Sequence, residues 1–125
     1  MRLKYYITED IITKTIDDLT VKAEKMSAQS MEYALKIGFN DLVDYSRKQG
    51  NETRLCAFVN KFFKCDIQSL DELDFARIQL RESISLPTIN IKVIKNLINT
   101  VGLSLQNIKS GICFLYSLAL IYGLK

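Results

Sequence analysis

Apolar positions along this chain recur mainly at steps of three and four residues, the rhythm of one helix face, and rarely alternate as a half-buried strand would. Ile12, Ile16, Leu19, Ala23 and Met26 keep that rhythm and predict an amphipathic helix from about Glu9 to Met26. Thr8 is placed to cap it, and Glu9 and Asp10 sit where carboxylates favour the positive end of the helix dipole. From Ser30 to Gly50 the pattern predicts a helical hairpin: a short helix using Met31, Ala34 and Leu35 that stops at Gly38, then a second, capped by Asn40, that ends at Gly50. Between Asn51 and Lys64 the periodicity is strongest, with Leu55, Phe58, Val59, Phe62 and Phe63 on one broad stripe and Arg54 and Lys61 together on another face. Ser69-Leu70-Asp71-Glu72 has the form of a capping box and predicts a helix from Leu70 to about Ser83 with Leu73, Ala76 and Leu80 inward. Pro87 then breaks the chain, and Thr88 is placed to cap a helix whose apolar face is Ile91, Ile94, Leu97, Ile98 and Val101 and which Gly102 ends. The opening Leu3, Tyr5, Ile7 alternation reads as a short extended lead-in.

The remaining stretch governs the rest. After Lys109 no charge occurs until Lys125, and the run through Leu124 places Leu, Ile, Phe and Ala on every side of a helix. It is shorter than the roughly 18–20 apolar residues that a membrane-spanning helix needs. Extending it backwards takes in Lys109, Asn107 and Gln106, so the expectation is a core helix, with Gly111 to Tyr122 largely enclosed. The predicted architecture is all-α: a compact bundle of about six helices forming one domain over residues 1–125. Five Gly and one Pro leave too few turns for a sandwich or barrel.

Two local resemblances accompany this pattern. Ala34-Leu35-Lys36-Ile37-Gly38, through Leu42-Val43 to Gly50-Asn51, resembles the helical part of an ankyrin repeat. It covers one repeat, and a shift of roughly 33 residues brings up no second copy, whereas that architecture needs at least three units. Ile98-Asn99-Thr100-Val101-Gly102-Leu103-Ser104, followed by Ile108, resembles the turn of a helix-turn-helix. That resemblance implies Gly102 at the bend, Leu103 in the angle, Ser104 as cap, and Leu105, Gln106 and Lys109 reaching a DNA major groove. The residues that follow depart from the pattern, because a recognition helix needs one wet side.

Composition narrows the chemistry. The chain has no His, which removes the commonest general base and the commonest metal ligand together. Cys56, Cys65 and Cys113 are odd in number and lack CxxC spacing, and so read as buried small hydrophobes. Asp71, Glu72 and Asp74 are acids in a first helical turn, with nothing nearby to complete a catalytic site. No cofactor motif is present, and no enzymatic activity is expected. The N-terminal MRLKYYITED lacks the features of a signal peptide, so a cytoplasmic location without stable membrane insertion is expected. The net charge of +3 is uneven: acids crowd Asp66 to Glu82, while Lys92, Lys95, Lys109 and Lys125 are the only charges after Glu82.

These features point to a non-catalytic module that binds and blocks a protein partner. Its most concrete form is an immunity or antitoxin-like inhibitor from a mobile element, an origin consistent with high Ile, Lys and Asn usage. The candidate partner-binding residues are Lys92, Lys95, Asn99, Gln106 and Lys109. A helix-turn-helix regulator that binds nucleic acid is the alternative, and a membrane-associated helical protein the third.

Overall fold

The computed structural model describes residues 7–73 and 86–125. Among these residues it is all-helical, with five α-helices: α1 (Glu9–Lys25), α2 (Ala28–Lys48), α3 (Glu52–Phe62), α4 (Ile91–Val101) and α5 (Ile108–Ile121). The extended lead-in expected around Leu3 and Tyr5 lies outside the described residues, as do Ala76 and Leu80.

The Thr8 hydroxyl accepts from the Ile11 amide at 3.2 Å, so α1 starts where the sequence predicts. Met26 is extended, and Ser27 at once caps α2 by accepting from the Ser30 amide at 3.1 Å. The predicted hairpin is one helix. Gly38 does not end it but lies inside it and faces α5, where a Cβ at Gly38 would stand 2.4 Å from Cys113 Cβ. Glycine is there to let two backbones approach, not to turn one. The fusion of the two expected helices is one reason that five helices, not about six, are found among the described residues. With the corner gone, the ankyrin-like pair is absent from this segment.

Chain reversal falls instead at 49–51, from which α3 runs back with Leu55, Cys56, Phe58 and Val59 buried. Beyond α3 the Asn60 side chain clamps the returning chain: its Nδ2 donates to Ile67 O and its Oδ1 accepts from Ile67 N, each at 2.8 Å. The capping box forms as predicted, with Glu72 Oε2 accepting from the Ser69 amide at 2.8 Å. It caps only a 3-10 turn, Leu70–Glu72, because Leu73 is already extended; the rest of the expected helix lies outside the described residues.

The cap of α4 is Asn90 and not Thr88; its side chain accepts from the Lys92 amide at 2.8 Å. The two added extended residues bury Ile89 before the helix begins. Gly102 ends α4 in the left-handed region at φ 66°, ψ 48°, as the sequence implies. Two side chains satisfy the carbonyls left open there: the Tyr45 hydroxyl donates to Gly102 O at 2.9 Å and Asn51 Nδ2 to Val101 O at 3.4 Å.

Helix α5 is the centre of the bundle. Ile108 and every residue from Gly111 through Leu118 are buried, and the helix packs most extensively on α2. Phe114 stacks on Phe39 of α2 with ring centroids 5.1 Å apart. The one polar side chain in this run without an aromatic body, Ser117, is satisfied locally by donating to Cys113 O at 2.7 Å. The chain then crosses the end of α3: Leu124 forms an isolated bridge with Phe63, and Lys125 N donates to Phe62 O at 3.0 Å. Among the described residues no helix is long and apolar enough to cross a membrane.

Candidate functional site

Two surface depressions lined by described residues are candidates for a binding face, and they differ in charge. The first is an open groove of about 410 Å³ between α3 and α4. Its α3 wall presents Arg54, Ala57, Phe58, Lys61 and Phe62, and its α4 wall Asn96, Asn99 and Thr100. The strong α3 stripe explains the layout: Phe58 is turned into the core, Phe62 is half-buried at the groove, and Arg54 and Lys61 are exposed two turns apart along the same edge.

Among the described residues no carboxylate lines this groove, and neither Arg54 nor Lys61 is ion-paired. Lys61 Nζ lies 5.2 Å from the centre of the Phe62 ring, within cation–π range. Across the groove, Asn96 Nδ2 donates to Lys92 O at 3.0 Å and the Thr100 hydroxyl donates to Asn96 O at 2.7 Å. Those bonds leave Asn96 Oδ1 and the Thr100 lone pairs to accept from a ligand. Asn99 makes no hydrogen bond among the described residues and offers its whole amide.

Elsewhere, among the described residues, Lys36, Arg47 and Lys95 are ion-paired within the fold. Arg47, at the end of α2, donates to Glu52 at 3.0 Å and to Asp71 at 2.7 Å, and Glu52 Oε2 also accepts from the Leu70 amide at 3.3 Å. Arg47 first, and then that amide, hold the Glu52 carboxyl below its usual range. Lys95 Nζ reaches Glu9 at 2.5 Å, tying α4 to the start of α1 and holding the Glu9 carboxyl low.

The second depression is a cleft among α1, α2 and α5. One part, about 280 Å³, includes Leu19, Lys22, Met31, Gly38, Asp41, Lys109 and Cys113; the adjoining part, about 250 Å³, includes Thr15, Asp18, Lys22, Leu105 and Lys109. Its two lysines are matched by two aspartates. Burial pushes the Cys113 thiol up to about 11, so it is inert as a nucleophile there.

The five residues singled out from sequence therefore do not share one site. Lys92, Lys95 and Asn99 are exposed on α4, but Lys95 is engaged by Glu9 and, of the three, Asn99 lines the α3/α4 groove. Lys109 stands in the first turn of α5 and lines the other cleft. Gln106 is exposed in the turn before α5, as is Leu105, and Ser104 donates to Asn107 Oδ1 at 2.6 Å while the helix itself begins at Ile108. The corner of the helix-turn-helix resemblance is present, with Leu103 buried against Gly111, but its second helix starts later than the resemblance implies.

Arg54 and Lys61 are not among those five. Their common helix face was legible, while the amide wall opposite depends on how α4 packs. Among the described residues no three His, Cys, Asp or Glu side chains group to hold a metal. No protein-family model, curated protein or solved structure matches this chain.

Proposed function

We propose that this chain is a non-catalytic protein-binding module that blocks a macromolecular partner, with the α3/α4 groove as its binding face. The observation that carries this reading is the convergence of Arg54 and Lys61 on a groove with an aromatic floor where, among the described residues, neither cation is paired and no carboxylate is present. A charge left unmatched inside the fold is available to a partner, and complementary charge steers association and fixes register. An immunity or antitoxin-like inhibitor from a mobile element is the most concrete form, since such a protein works by occlusion and needs neither cofactor nor catalytic group.

The DNA-binding alternative draws less support. Leu105 and Gln106 precede α5, and α5 offers no wet face to a major groove. The membrane-associated reading rested on the apolar C-terminal run, which α5 buries among its neighbours.

The experiment is affinity capture from the native host, comparing the wild type with Arg54→Glu/Lys61→Glu and with an off-groove reversal, Lys14→Glu/Lys48→Glu. One specific partner should be held by the wild type and the off-groove variant and lost by the groove variant. Equal retention by all three, or salt-sensitive binding to genomic DNA fragments that Gln106→Ala/Lys109→Ala abolishes, would overturn the reading.

A further inference from the structure

We propose that the occupant of the α3/α4 groove is an extended acidic segment of a protein partner, with carboxylates recurring at every third residue. This rests on the protein-binding reading above and names what that face recognises. Three features of the groove lead to it.

The first is spacing. Arg54 and Lys61 are seven residues apart on α3, which at 1.5 Å per residue separates them by about 10 Å along the helix. A peptide in polyproline II geometry returns to the same face every three residues, with a repeat of about 9 Å. A flat strand returns to the same face at about 7 Å or about 13 Å, and matches less well.

The second is hydrogen-bonding capacity. Asn99 has its whole amide open, and Asn96 Oδ1 and the Thr100 hydroxyl oxygen remain able to accept. An extended backbone has open N–H and C=O groups to meet them. A helical ligand with acids seven residues apart would match the cations equally well, but its backbone groups are closed internally, so the α4 wall would face only side chains.

The third is cross-section. Polyproline II has three faces: one would lie along the α3 cations, one over Phe62 and the amide wall, and one towards solvent. An apolar residue next to the acid that meets Lys61 would therefore rest on the half-buried Phe62 ring.

The test is a titration of the full chain, followed by backbone amide resonances, with synthetic peptides of stated composition. The first repeats Glu-Pro-Leu; the second has the same residues reordered so that successive Glu are alternately two and four residues apart; the third carries Lys for Glu; the fourth is an Ala-rich helix with Glu seven residues apart. The first should shift amides of α3 and α4 around Arg54, Lys61, Asn96 and Thr100. It should bind at least about threefold more tightly than the second or fourth, and Arg54→Glu/Lys61→Glu should weaken it about tenfold. Arg54→Ala/Lys61→Ala, checked for unchanged helicity, should weaken it in the same direction by less.

Equal binding of the first and second peptides, or tighter binding of the helix, would overturn the extended register while leaving the groove as a protein-binding face. Shifts of equal size with the Lys peptide, or no groove shifts with any acidic peptide, would overturn both. Stronger shifts of the same amides by oligothymidylate would make the occupant a nucleic acid and also overturn the proposal.

Discussion

Gly38→Ala tests the closest approach in the bundle. An alanine in a helix interior is worth about 1 kcal/mol more than glycine, so on an isolated α2 the substitution would stabilise. Here the added Cβ would stand 2.4 Å from Cys113 Cβ and 2.9 Å from its Sγ, against an ordinary carbon contact of about 3.5–4.0 Å. The near atom is a Cβ fixed to the α5 backbone, so no rotamer change relieves it, and the helices must part by about 1 Å. The same interface carries the Phe39–Phe114 stack and cannot open locally without loosening it. Overpacking of this kind costs about 1–3 kcal/mol, which offsets the propensity gain of about 1 kcal/mol and leaves a net loss of up to about 2 kcal/mol.

Urea denaturation followed by circular dichroism measures it. The decisive comparison is the same substitution in a Cys113→Gly background, where the obstructing Cβ is gone and only propensity remains. There Gly38→Ala should stabilise by about 0.5–1 kcal/mol, so that its sign reverses. Equal destabilisation in both backgrounds would refute the contact and restore Gly38 as a turn residue. Equal stabilisation in both backgrounds would show that the helices lie farther apart.

Three further outcomes follow from the packing and the charges. Leu118 is fully buried, so Leu118→Ala should lower unfolding free energy by about 2–5 kcal/mol, and a loss below about 0.5 kcal/mol would mean an exposed α5 face. The Glu9 and Glu52 carboxyls have folded values below their ordinary one, so their contribution to stability is present at neutral pH and is lost as pH falls through the folded values. Thermal melts from neutral to acid pH should therefore fall more steeply for the wild type than for Glu52→Gln, and parallel curves would contradict the Arg47–Glu52–Leu70 linkage. With its thiol pushed to about 11 by burial, Cys113 should resist a thiol reagent at mildly alkaline pH until the protein unfolds, whereas prompt reaction in the folded state would contradict its burial.

Much of the helix layout was legible because its causes are local. The charge-free run marked α5 as enclosed, the apolar stripe fixed the buried face of α3, and Gly102 ended α4 where its left-handed backbone requires. Ser69 and Glu72 formed their predicted box, although Leu73 turns the chain away after one short turn. Thr88 and Asn90 were both able to cap α4, and the choice fell to the one that lets Ile89 reach the core.

The errors share a cause at long range. A glycine followed by Asn40 is locally a helix stop, and only the approach of Cys113 from α5 explains why α2 runs through it. The candidate site suffered in the same way. Lys95 looked like a free cation until Glu9, from the other end of the chain, was placed beside it. Conversely, the sequence put Arg54 and Lys61 on one helix face, but only the packing of α4 laid Asn96, Asn99 and Thr100 alongside them.

The central claim is that this protein holds a partner through the α3/α4 groove, and amide hydrogen exchange of the chain with and without its captured partner tests it most directly. Protection gained on α3 around Arg54 to Lys61 and on α4 around Asn96 to Thr100, and lost in Arg54→Glu/Lys61→Glu, is the predicted result. Protection confined to the cleft lined by Lys22 and Lys109, with the groove unchanged, would contradict it.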